Sequence, residues 1–464
     1  MGAELNAKTQ GRKDARDVGG LAPWRPGDFA LSEGFRDTPL GPLPETWEVV
    51  RLDAVANLSR GISWRKSEQS SDGVPVIAIP NIQDGRVSFD IRYRIDKRIS
   101  PAKRLYDDDI LLVGSSGSVH NVGRTAIVKN LPFPVAAFAS FLAKASPSEQ
   151  IDRGYLYFLL NSPMINFAAC SKQAADGKFN LQVRALGTHP VPLPSFSEQR
   201  AIAHALRTVQ EAREATERVI AATRELKRSL MRHLFTYGPV PVAQADQVEL
   251  RGTEIGTIPA YWEVVPLGRI AVVKGGKRLP KGHAFSEQPT PYPYIRVTDF
   301  SRWSVNVMNL KYLTPEDHEQ IKRYIITTDD VYISIAGTIG LVGTIPASLN
   351  GANLTENAAR IVIQDRSRLD NHYLVGFLAS EVGQQQIATR ATKTSQPKLA
   401  LARTQQIPVP LPPLPEQQAI TRTLATVDAK IAAEEARRGA LEALFHSLLH
   451  HLMTGKVRAM ALYG

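Results

Sequence analysis

Cysteine is almost absent from this sequence, because Cys170 is the single one among 464 residues. One thiol excludes an internal disulfide framework and any zinc site built from paired cysteines. The sequence also lacks a run of eighteen apolar residues, and its N-terminus has no apolar segment of the signal-peptide kind. These absences predict a cytoplasmic protein that does not interact with a membrane.

Motifs that carry catalysis are missing as well. Gly177-Lys178 and Gly276-Lys277 lack the upstream glycine and the following Ser or Thr of a phosphate-binding loop. The glycine-rich segments Gly114–Gly123 and Gly337–Gly343 do not have the GxGxxG spacing, and tight turns between strands explain them better. No HExxH, GxSxG or adenine-methyltransferase Asn/Asp-Pro-Pro-Tyr/Phe motif occurs. We therefore expect no catalytic site and no metal site in this chain.

Acidic residues are outnumbered by basic ones. The sequence has 45 Asp and Glu against 56 Lys and Arg, a formal charge of +11. This balance suggests nucleic acid or an acidic membrane surface as a partner. The apolar content of 43% is ordinary for a globular protein, and the length predicts two to four domains.

An internal repeat is the main feature that the sequence does contain. Its two copies open with similar segments, Gly41–Val50 and Gly256–Val265, at a constant offset of 215 residues. Strand-like segments follow at Val74–Pro80 and Tyr292–Val297. Later in each copy the offset becomes 218, where the same Pro-Val-Pro-Leu-Pro sequence begins at Pro190 and again at Pro408. We therefore expect two domains of the same fold.

A long amphipathic helix ends each copy, over residues 195–237 and 413–454. Apolar residues recur there every three or four positions over about 40 residues, which corresponds to a length of roughly 60 Å. Ser197 is the candidate N-cap of the first helix. A stripe this narrow predicts that the two helices pair as an antiparallel coiled coil. The predicted seam consists of Ile202, Leu206, Val209, Ile220, Leu230, Leu234, Ile420, Leu424, Val427, Ile431, Leu441, Leu448 and Leu452.

The predicted fold class is α+β, with few helices among the strands of each domain. Residues 1–37 are polar and aperiodic and are predicted to form a disordered extension. The predicted organisation is 1–37 extension, 38–194 first domain, 195–237 first helix, 238–252 linker, 253–412 second domain, 413–454 second helix and 455–464 tail.

The two copies differ most in segments rich in Arg, Lys, Asn, Ser and aromatic residues. Such side chains contact phosphates and base edges. The differing segments are Arg60–Lys66 against Lys274–Lys281, and Arg86–Arg94 against Phe300–Asn306. In addition, a polar loop precedes each helix lead-in at the same register, Lys172–Asn180 and Thr392–Lys398. The predicted DNA-binding residues are Arg60, Arg65, Lys66, Arg86, Lys172, Lys178, Asn180, Lys274, Lys277, Arg278, Lys281, Lys393, Ser395, Gln396 and Lys398.

These features together resemble one family, the DNA-specificity subunits of type I restriction-modification systems. The resemblance rests on the twin openings and on the twin Pro-Leu-Pro-x-x-x-Glu-Gln-x-x-Ile segments, Pro192–Ile202 and Pro410–Ile420. The segment Leu452–Lys456 is similar to the C-terminal signature of the family. The resemblance covers about residues 38–457.

The resemblance implies a non-catalytic subunit with two target recognition domains, each reading one half of a bipartite site in double-stranded DNA. The long helices would act as a spacer and dock two modification subunits. S-adenosylmethionine is then expected on the modification subunits, and ATP and Mg²⁺ on partner restriction subunits, with no cofactor in this chain.

Three alternatives stay open at this level. The chain could serve an orphan methyltransferase or another defence system, in which case its sequence would look the same. A structural coiled-coil scaffold would bind DNA weakly and without steep salt dependence. A methyltransferase in its own right is disfavoured by the missing motif.

Overall fold

Two long helices organise the fold, Phe196–Tyr237 and Leu414–Met453. The computed structural model describes residues 34–83, 85–392 and 397–459. It divides into a first unit, formed by the chain up to Ala212 and from Leu441 onward, and a second unit, Arg213–Ala440. Each unit therefore contains one globular domain and a part of both long helices.

The first long helix begins one residue after its cap. The Oγ of Ser195 accepts the backbone N–H of Glu198 at 3.4 Å, so Ser195, not Ser197, is the N-cap. The prediction was wrong because Phe196 is already helical, which places Ser197 inside the first turn.

None of the predicted seam residues is exposed. Those that are buried are Ile202, Leu206, Ile220, Leu234, Ile420, Leu424, Ile431 and Leu452. Those that are half-buried are Val209, Leu230, Val427, Leu441 and Leu448. Towards the helix ends the stripe packs into the domains: Ile202, Leu206 and Leu452 belong to the core of the first unit, and Leu234, Ile420 and Leu424 to that of the second.

Ion pairs join the two helices within the second unit. Lys227 Nζ lies 2.7 Å from Asp428 Oδ1, and Arg224 Nη2 lies 2.6 Å from Glu435 Oε1. Residue numbers rise along one helix as they fall along the other, so the helices run antiparallel where these pairs form.

The first domain is an α+β fold on a six-stranded sheet, in which one of the five strand pairings is parallel and the other four are antiparallel. In spatial order its strands are Ala56–Arg60, Leu142–Pro147, Ile110–Val113, Thr125–Ile127, Arg86–Val87 and Ile82–Gln83. There are also two three-stranded sheets. One consists of Ala137–Phe138, Gln69–Ile77 and Tyr93–Ile95, and the other of Ser115–Ser116, Phe179–Leu181 and Ser171–Gln173. Two ribbons pair Phe35–Arg36 with Leu43–Pro44 and Glu48–Arg51 with Pro190–Leu193. Its short helices are Leu52–Val55, Arg153–Leu160 and Val183–Gly187.

The second domain repeats this plan, which confirms the predicted fold class. It has two four-stranded sheets. In spatial order, the first consists of Ala271–Gly275, Ala358–Ile363, Val331–Ser334 and Val342–Gly343. The second consists of Lys311–Tyr312, Pro293–Ile295, Ala352–Leu354 and Ile325–Ile326. Three ribbons pair Leu250–Thr253 with Gly256–Pro259, Glu263–Pro266 with Pro408–Leu411, and Phe300–Ser301 with Ser304–Val305. Its helices are Pro315–Ile321, Asn371–Ala379, Glu381–Arg390 and Leu401–Gln405.

A glutamate fixes the start of each long helix to its domain. The indole N–H of Trp47 donates to Glu198 at 3.0 Å, and that of Trp262 donates to Glu416 at 3.1 Å. Both indole rings are buried, so each needs an acceptor inside the protein. The Trp in each opening and the Glu of each Glu-Gln pair, distant in the sequence, are therefore partners in the fold.

The glutamine that follows each glutamate ties the helix to the backbone of the domain. Gln199 accepts the N–H of Asp152 at 2.7 Å and donates to the carbonyl of Pro194 at 2.9 Å. Gln417 repeats the first contact with Asp370 at 2.9 Å. Both glutamines are almost fully buried, so their amides act as internal hydrogen-bonding bridges.

Each domain is completed by the end of the helix from the other copy. In the first unit, Phe445 packs on Phe158 at 6.1 Å between ring centroids, and Met453 and Val457 are buried in the core. In the second unit, Phe235 packs against Tyr373 and Phe377 at 5.8 Å. Residues 455–459, predicted as a tail, therefore pack on the first domain.

Both domains begin before their predicted boundaries. Phe35–Arg36 pairs with Leu43–Pro44, and Arg36 donates to the carbonyl of Trp47 at 2.8 Å. Arg251 makes the same bond to Trp262. The predicted 1–37 extension and 238–252 linker therefore end too late, because single arginines and short strands give little periodic signal. The other extension residues, 1–33, lie outside the described residues.

The predicted strand Val74–Pro80 is instead Gln69–Ile77, and Tyr292–Val297 shortens to Pro293–Ile295. Asn81 ends the first strand by accepting the backbone N–H three residues earlier, and Asp299 does the same in the second domain. A polar side chain that closes a turn thus overrides the strand propensity of the residues before it.

Candidate nucleic-acid interface

A hairpin at one edge of the first domain carries three of the predicted DNA-binding residues. Strands Ser171–Gln173 and Phe179–Leu181 pair so that Lys172 lies opposite Asn180, and Asn180 also lies opposite Ser115. Lys178 is exposed and lies 2.9 Å from Asp176, beside Gly177 at φ +80°. The glycine-rich loop after Gly114 and the polar loop before the first long helix therefore form one surface.

Arg60 lies beside this surface, and its side chain binds backbone carbonyls beneath it. Its guanidinium donates to the carbonyls of Gly114 and Ser140, each at 3.3 Å, and to that of Leu181. Half-burial lowers the pKa of Arg60, and these carbonyls take up its donors. We therefore reassign Arg60 from DNA contact to a structural role, since it ties three loops together.

An exposed aromatic side chain on the same surface was missed. Phe141 is 54% exposed and lies at a turn whose carbonyl accepts the N–H of Gly114 at 2.7 Å. Leaving a phenyl ring in water is unfavourable, and an aromatic ring can contact the methyl group of thymine. No sequence pattern marks Phe141, because it lies between two strands in an otherwise apolar stretch.

Arg65 and Lys66 lie on a neighbouring loop. Ile62 forms a bridge to Ala139, so this loop leaves the domain beside the turn that carries Phe141. Arg65 and Lys66 are both exposed. Arg86 lies elsewhere, on an exposed strand near one end of the six-stranded sheet.

The second domain has a corresponding but different surface. Lys398 forms a bridge to Ala336 in the glycine-rich segment, and its N–H donates to Thr392 Oγ1 at 2.9 Å. Asn357 occupies the turn that matches Phe141, and its carbonyl accepts the N–H groups of Ile335 and Ala336. The predicted residues Lys393, Ser395 and Gln396 lie outside the described residues.

The remaining predicted residues of the second domain are all exposed. They are Lys274, Lys277, Arg278 and Lys281. Arg278 Nε lies 2.8 Å from Glu356 Oε1, and this carboxylate raises the pKa of Arg278. Lys277 is held by its backbone, which donates to the carbonyl of Leu354 at 2.8 Å. The four cations stay DNA-contact predictions.

Two residues of the segment Phe300–Asn306 contact the long helices. Arg302 pairs with Glu435 and Trp303 covers Lys227, both partners being on the long helices of the second unit. These contacts assign Arg302 and Trp303 an internal role, and for the rest of the segment DNA contact stays a prediction.

Within 34–83, 85–392 and 397–459, no group of three His, Cys, Asp or Glu could hold a metal ion. In the same part of the chain, no helix is both long and apolar enough to cross a bilayer.

Comparison with known proteins identifies this two-domain arrangement. The profile of the type I restriction modification DNA specificity domain matches twice, over residues 44–222 and 259–443. The chain belongs to this family. It is a DNA sequence-recognition subunit and is not itself an enzyme. DNA and the other subunits of a type I restriction-modification system are its partners.

Individual relatives are distant but nearly full-length. The type I restriction enzyme MjaVIII specificity subunit of Methanocaldococcus jannaschii is 24% identical over 441 residues, covering 93% of this chain and 97% of its own. The EcoBI specificity subunit of Escherichia coli is 25% identical over 398 residues, with coverages of 82% and 78%. A crystal structure of the type I system S subunit from M. genitalium has the same fold, with a TM-score of 0.55, 16% identity and coverages of 88% and 96%.

Proposed function

We propose that each domain of this specificity subunit reads one half of a bipartite DNA target. The observation that carries the proposal is the repeated surface beside each glycine-rich segment. In the first domain it displays Lys172, Asn180 and Phe141, and in the second Lys398 and the turn at Asn357. Different side chains on the same backbone plan suit two half-sites of different sequence.

The long helices are the spacer in this proposal. A helix of 42 residues is about 63 Å long, and one turn of DNA is about 34–36 Å. The centres of the half-sites should therefore lie between one and two turns apart. Removing the heptad Thr216–Ala222 keeps the seam in phase, since Thr216 is buried like Ile220, but shortens one helix by about 10 Å. We expect a shorter gap or no activity, with unchanged half-site bases.

Two modification subunits bind this chain in the proposed complex and carry S-adenosylmethionine. Restriction subunits supply ATP- and Mg²⁺-dependent cleavage, and the complex acts on DNA in the cytoplasm. This chain contributes the recognition surfaces and the helices that dock its partners, and binds none of these cofactors.

Methylation mapping tests the proposal most directly. The full chain is co-expressed with its modification subunits in a host without other adenine methylation, and methylated adenines are located genome-wide. We expect one bipartite motif with one gap length. A continuous motif, or no methylation by a folded complex, would refute the proposal.

The same experiment separates the alternatives. An orphan methyltransferase system gives the same motif but no cleavage of unmethylated DNA when every neighbouring gene is included. A structural scaffold gives no motif, and its DNA binding is weak and insensitive to salt, whereas a recognition subunit loses affinity steeply as salt rises.

A further inference from the structure

One hairpin of the second domain has an unusual tip. Strands Phe300–Ser301 and Ser304–Val305 are joined by Arg302 and Trp303, with φ of 47° and 65°. Two-residue hairpins that need the left-handed conformation at both positions normally use Asn-Gly or Asp-Gly. Arg and Trp are disfavoured there because their Cβ atoms approach the backbone closely. Contacts made by the two side chains must therefore offset the unfavourable backbone.

Trp303 makes the first of these contacts with the first long helix. Lys227 Nζ lies 3.4 Å from the centroid of the Trp303 ring system, and the same ammonium group lies 2.7 and 2.8 Å from the two oxygens of Asp428. Only 16% of the Lys227 side chain is exposed. A cation held over an indole and shielded from water interacts more strongly than one at an exposed site.

Arg302 makes the second contact, with the second long helix. Its guanidinium donates to both carboxylate oxygens of Glu435, at 2.6 Å for the Nη2–Oε1 contact. Arg224 of the first long helix shares this carboxylate at 2.6 Å. The Glu435 side chain is only 9% exposed, whereas that of Arg302 is 63% exposed, so the forked contact fixes direction through a carboxylate that is itself largely buried.

The tip is also fixed to the sheet of its own domain. The N–H of Thr344 donates to the carbonyl of Trp303 at 2.9 Å. A Cβ at Gly343 would lie 2.3 Å from the carbonyl carbon of Trp303, so only glycine allows the strand to approach this closely. The tip thus links the edge of the sheet to both long helices.

The corresponding hairpin of the first domain is different. It joins Ile82–Gln83 to Arg86–Val87, and the sequence between these strands is Asp-Gly, with Gly85 at φ +78°. Asp-Gly is one of the sequences that two-residue hairpins prefer. It offers neither an aromatic ring nor a guanidinium, so the Arg-Trp tip belongs to the second copy of the repeat.

We propose that Arg302 and Trp303 are positioning residues that fix the angle of the second recognition domain on the long helices and thereby restrict the gap length. The inference rests on the proposed function. One added base pair moves a half-site by about 3.4 Å and turns it by about 35° around the duplex. A domain held at several points cannot follow such a change, whereas a loosened one can.

The test replaces the tip by the residues that the turn prefers. Arg302→Asn combined with Trp303→Gly removes both contacts and relieves the backbone, so the hairpin should still form. The full chain with its modification subunits is assayed by genome-wide methylation mapping. The half-site bases should stay the same. Methylation at the original gap, relative to gaps one base pair longer or shorter, should fall about tenfold.

Two further variants keep the result interpretable. Glu435→Gln weakens the contact with Arg302 by a change on the helix and leaves the domain itself unaltered. It should relax the selectivity for gap length in the same direction. Lys322→Ala removes an exposed Lys322–Glu319 pair of the same domain and should leave the gap ratio unchanged. If the double variant fails to fold, the gap ratio of Glu435→Gln alone tests the proposal.

A folded double variant with the wild-type gap ratio would overturn the proposal. An equal fall of methylation at all gap lengths would overturn it too, because the tip would then support activity and not spacing. Failure of the proposed function is distinct, since the wild-type chain itself would then give no bipartite motif.

Discussion

Each domain has a buried tryptophan at the corresponding position that donates to a glutamate, but the groups around the two glutamates differ. In the first, Glu198 accepts from Trp47 and pairs with Nε and Nη2 of Arg458 at 2.6 and 2.8 Å. In the second, Glu416 accepts from Trp262 and from the hydroxyl of Tyr261 at 3.0 Å. Among the described residues, one carboxylate is thus neutralised by a cation and the other is only hydrogen-bonded. The repeat keeps the backbone plan and the anchor while the surrounding charges diverge, so corresponding substitutions should differ in cost.

The largest difference is expected at a repeated internal ion pair. Both pairs are largely buried, but Lys144 Nζ lies 3.1 Å from Asp109, whose carboxylate accepts once more from Tyr106, whereas Arg360 lies 3.7 Å from Asp330, whose carboxylate accepts twice from Thr327. Lys144→Met leaves a buried carboxylate without its cation and should cost about 3 kcal/mol of the free energy of unfolding. Arg360→Met should cost about 1 kcal/mol, since its ion pair is longer and Asp330 keeps two hydrogen bonds.

Hydrogen exchange during urea titration measures each domain separately in these variants. Equal costs in the two domains would contradict the distinction. Asp109→Asn with Lys144→Met is the control, because removing both charges should recover most of the loss.

The tryptophan anchor should give the next largest difference. Glu198→Ala leaves the Trp47 indole without its acceptor and Arg458 without its partner, and should destabilise the first domain by about 2–3 kcal/mol. Glu416→Ala strands one buried indole donor and one exposed hydroxyl, and should cost about 1–2 kcal/mol. Exchange rates in each domain are the measurement. A larger effect at Glu416 would show that Arg458 does not stabilise the first anchor.

The two glycines behind the anchors should differ by less. Gly455 at φ +65° lies so that a Cβ would be 2.3 Å from Pro44 Cγ, whereas one on Gly238, at φ +80°, would be 3.3 Å from Trp262. Gly→Ala at either position costs about 1 kcal/mol for the left-handed backbone, and the clash at Gly455 adds about 1 kcal/mol more. Thermal unfolding of the two variants checks the order, and the reverse order would contradict the packing argument.

DNA binding should show the smallest but most diagnostic difference. Lys172→Ala removes the phosphate contact that we propose for this side chain, and it should lower the salt dependence of binding by about one unit. Phe141→Ala should weaken binding to the cognate half-site about tenfold at an unchanged salt slope, because no charge is lost. Tyr106→Ala, another exposed aromatic of this domain at the opposite end of strand Ile110–Val113, is the control. Titrations at several salt concentrations distinguish these outcomes, and an equal effect of Tyr106→Ala would sink the assignment of Phe141.

Sequence periodicity predicted the elements that bury a continuous stripe. Both long helices and the repeated α+β plan follow from apolar spacing and from the twin Trp and Glu-Gln segments. The local pattern does not specify which side chains the fold pairs. Arg60 is of a residue type that often contacts DNA, but its guanidinium donates to three carbonyls. Arg302 and Trp303 pack on the long helices.

Phe141 was beyond sequence reasoning for the opposite reason. Ala139 and Leu142 are buried and Ser140 is half-buried, so only the turn geometry shows that the ring is exposed. Recognition residues are therefore the part of this protein least accessible to pattern arguments, since exposure at a loop is decided by tertiary structure.

The packing of residues 441–459 on the first domain has a consequence for synthesis. The core around Trp47 includes Leu449, Leu452, Met453 and Val457. These residues leave the ribosome only after the entire second unit has been made. The first domain therefore exposes apolar surface until the last residues of the chain have been translated. The residues of the second unit are contiguous in the chain, so this unit can fold as it emerges. Order of translation and order of folding are thus reversed, and chaperones that shield apolar surface should engage the first domain for longer.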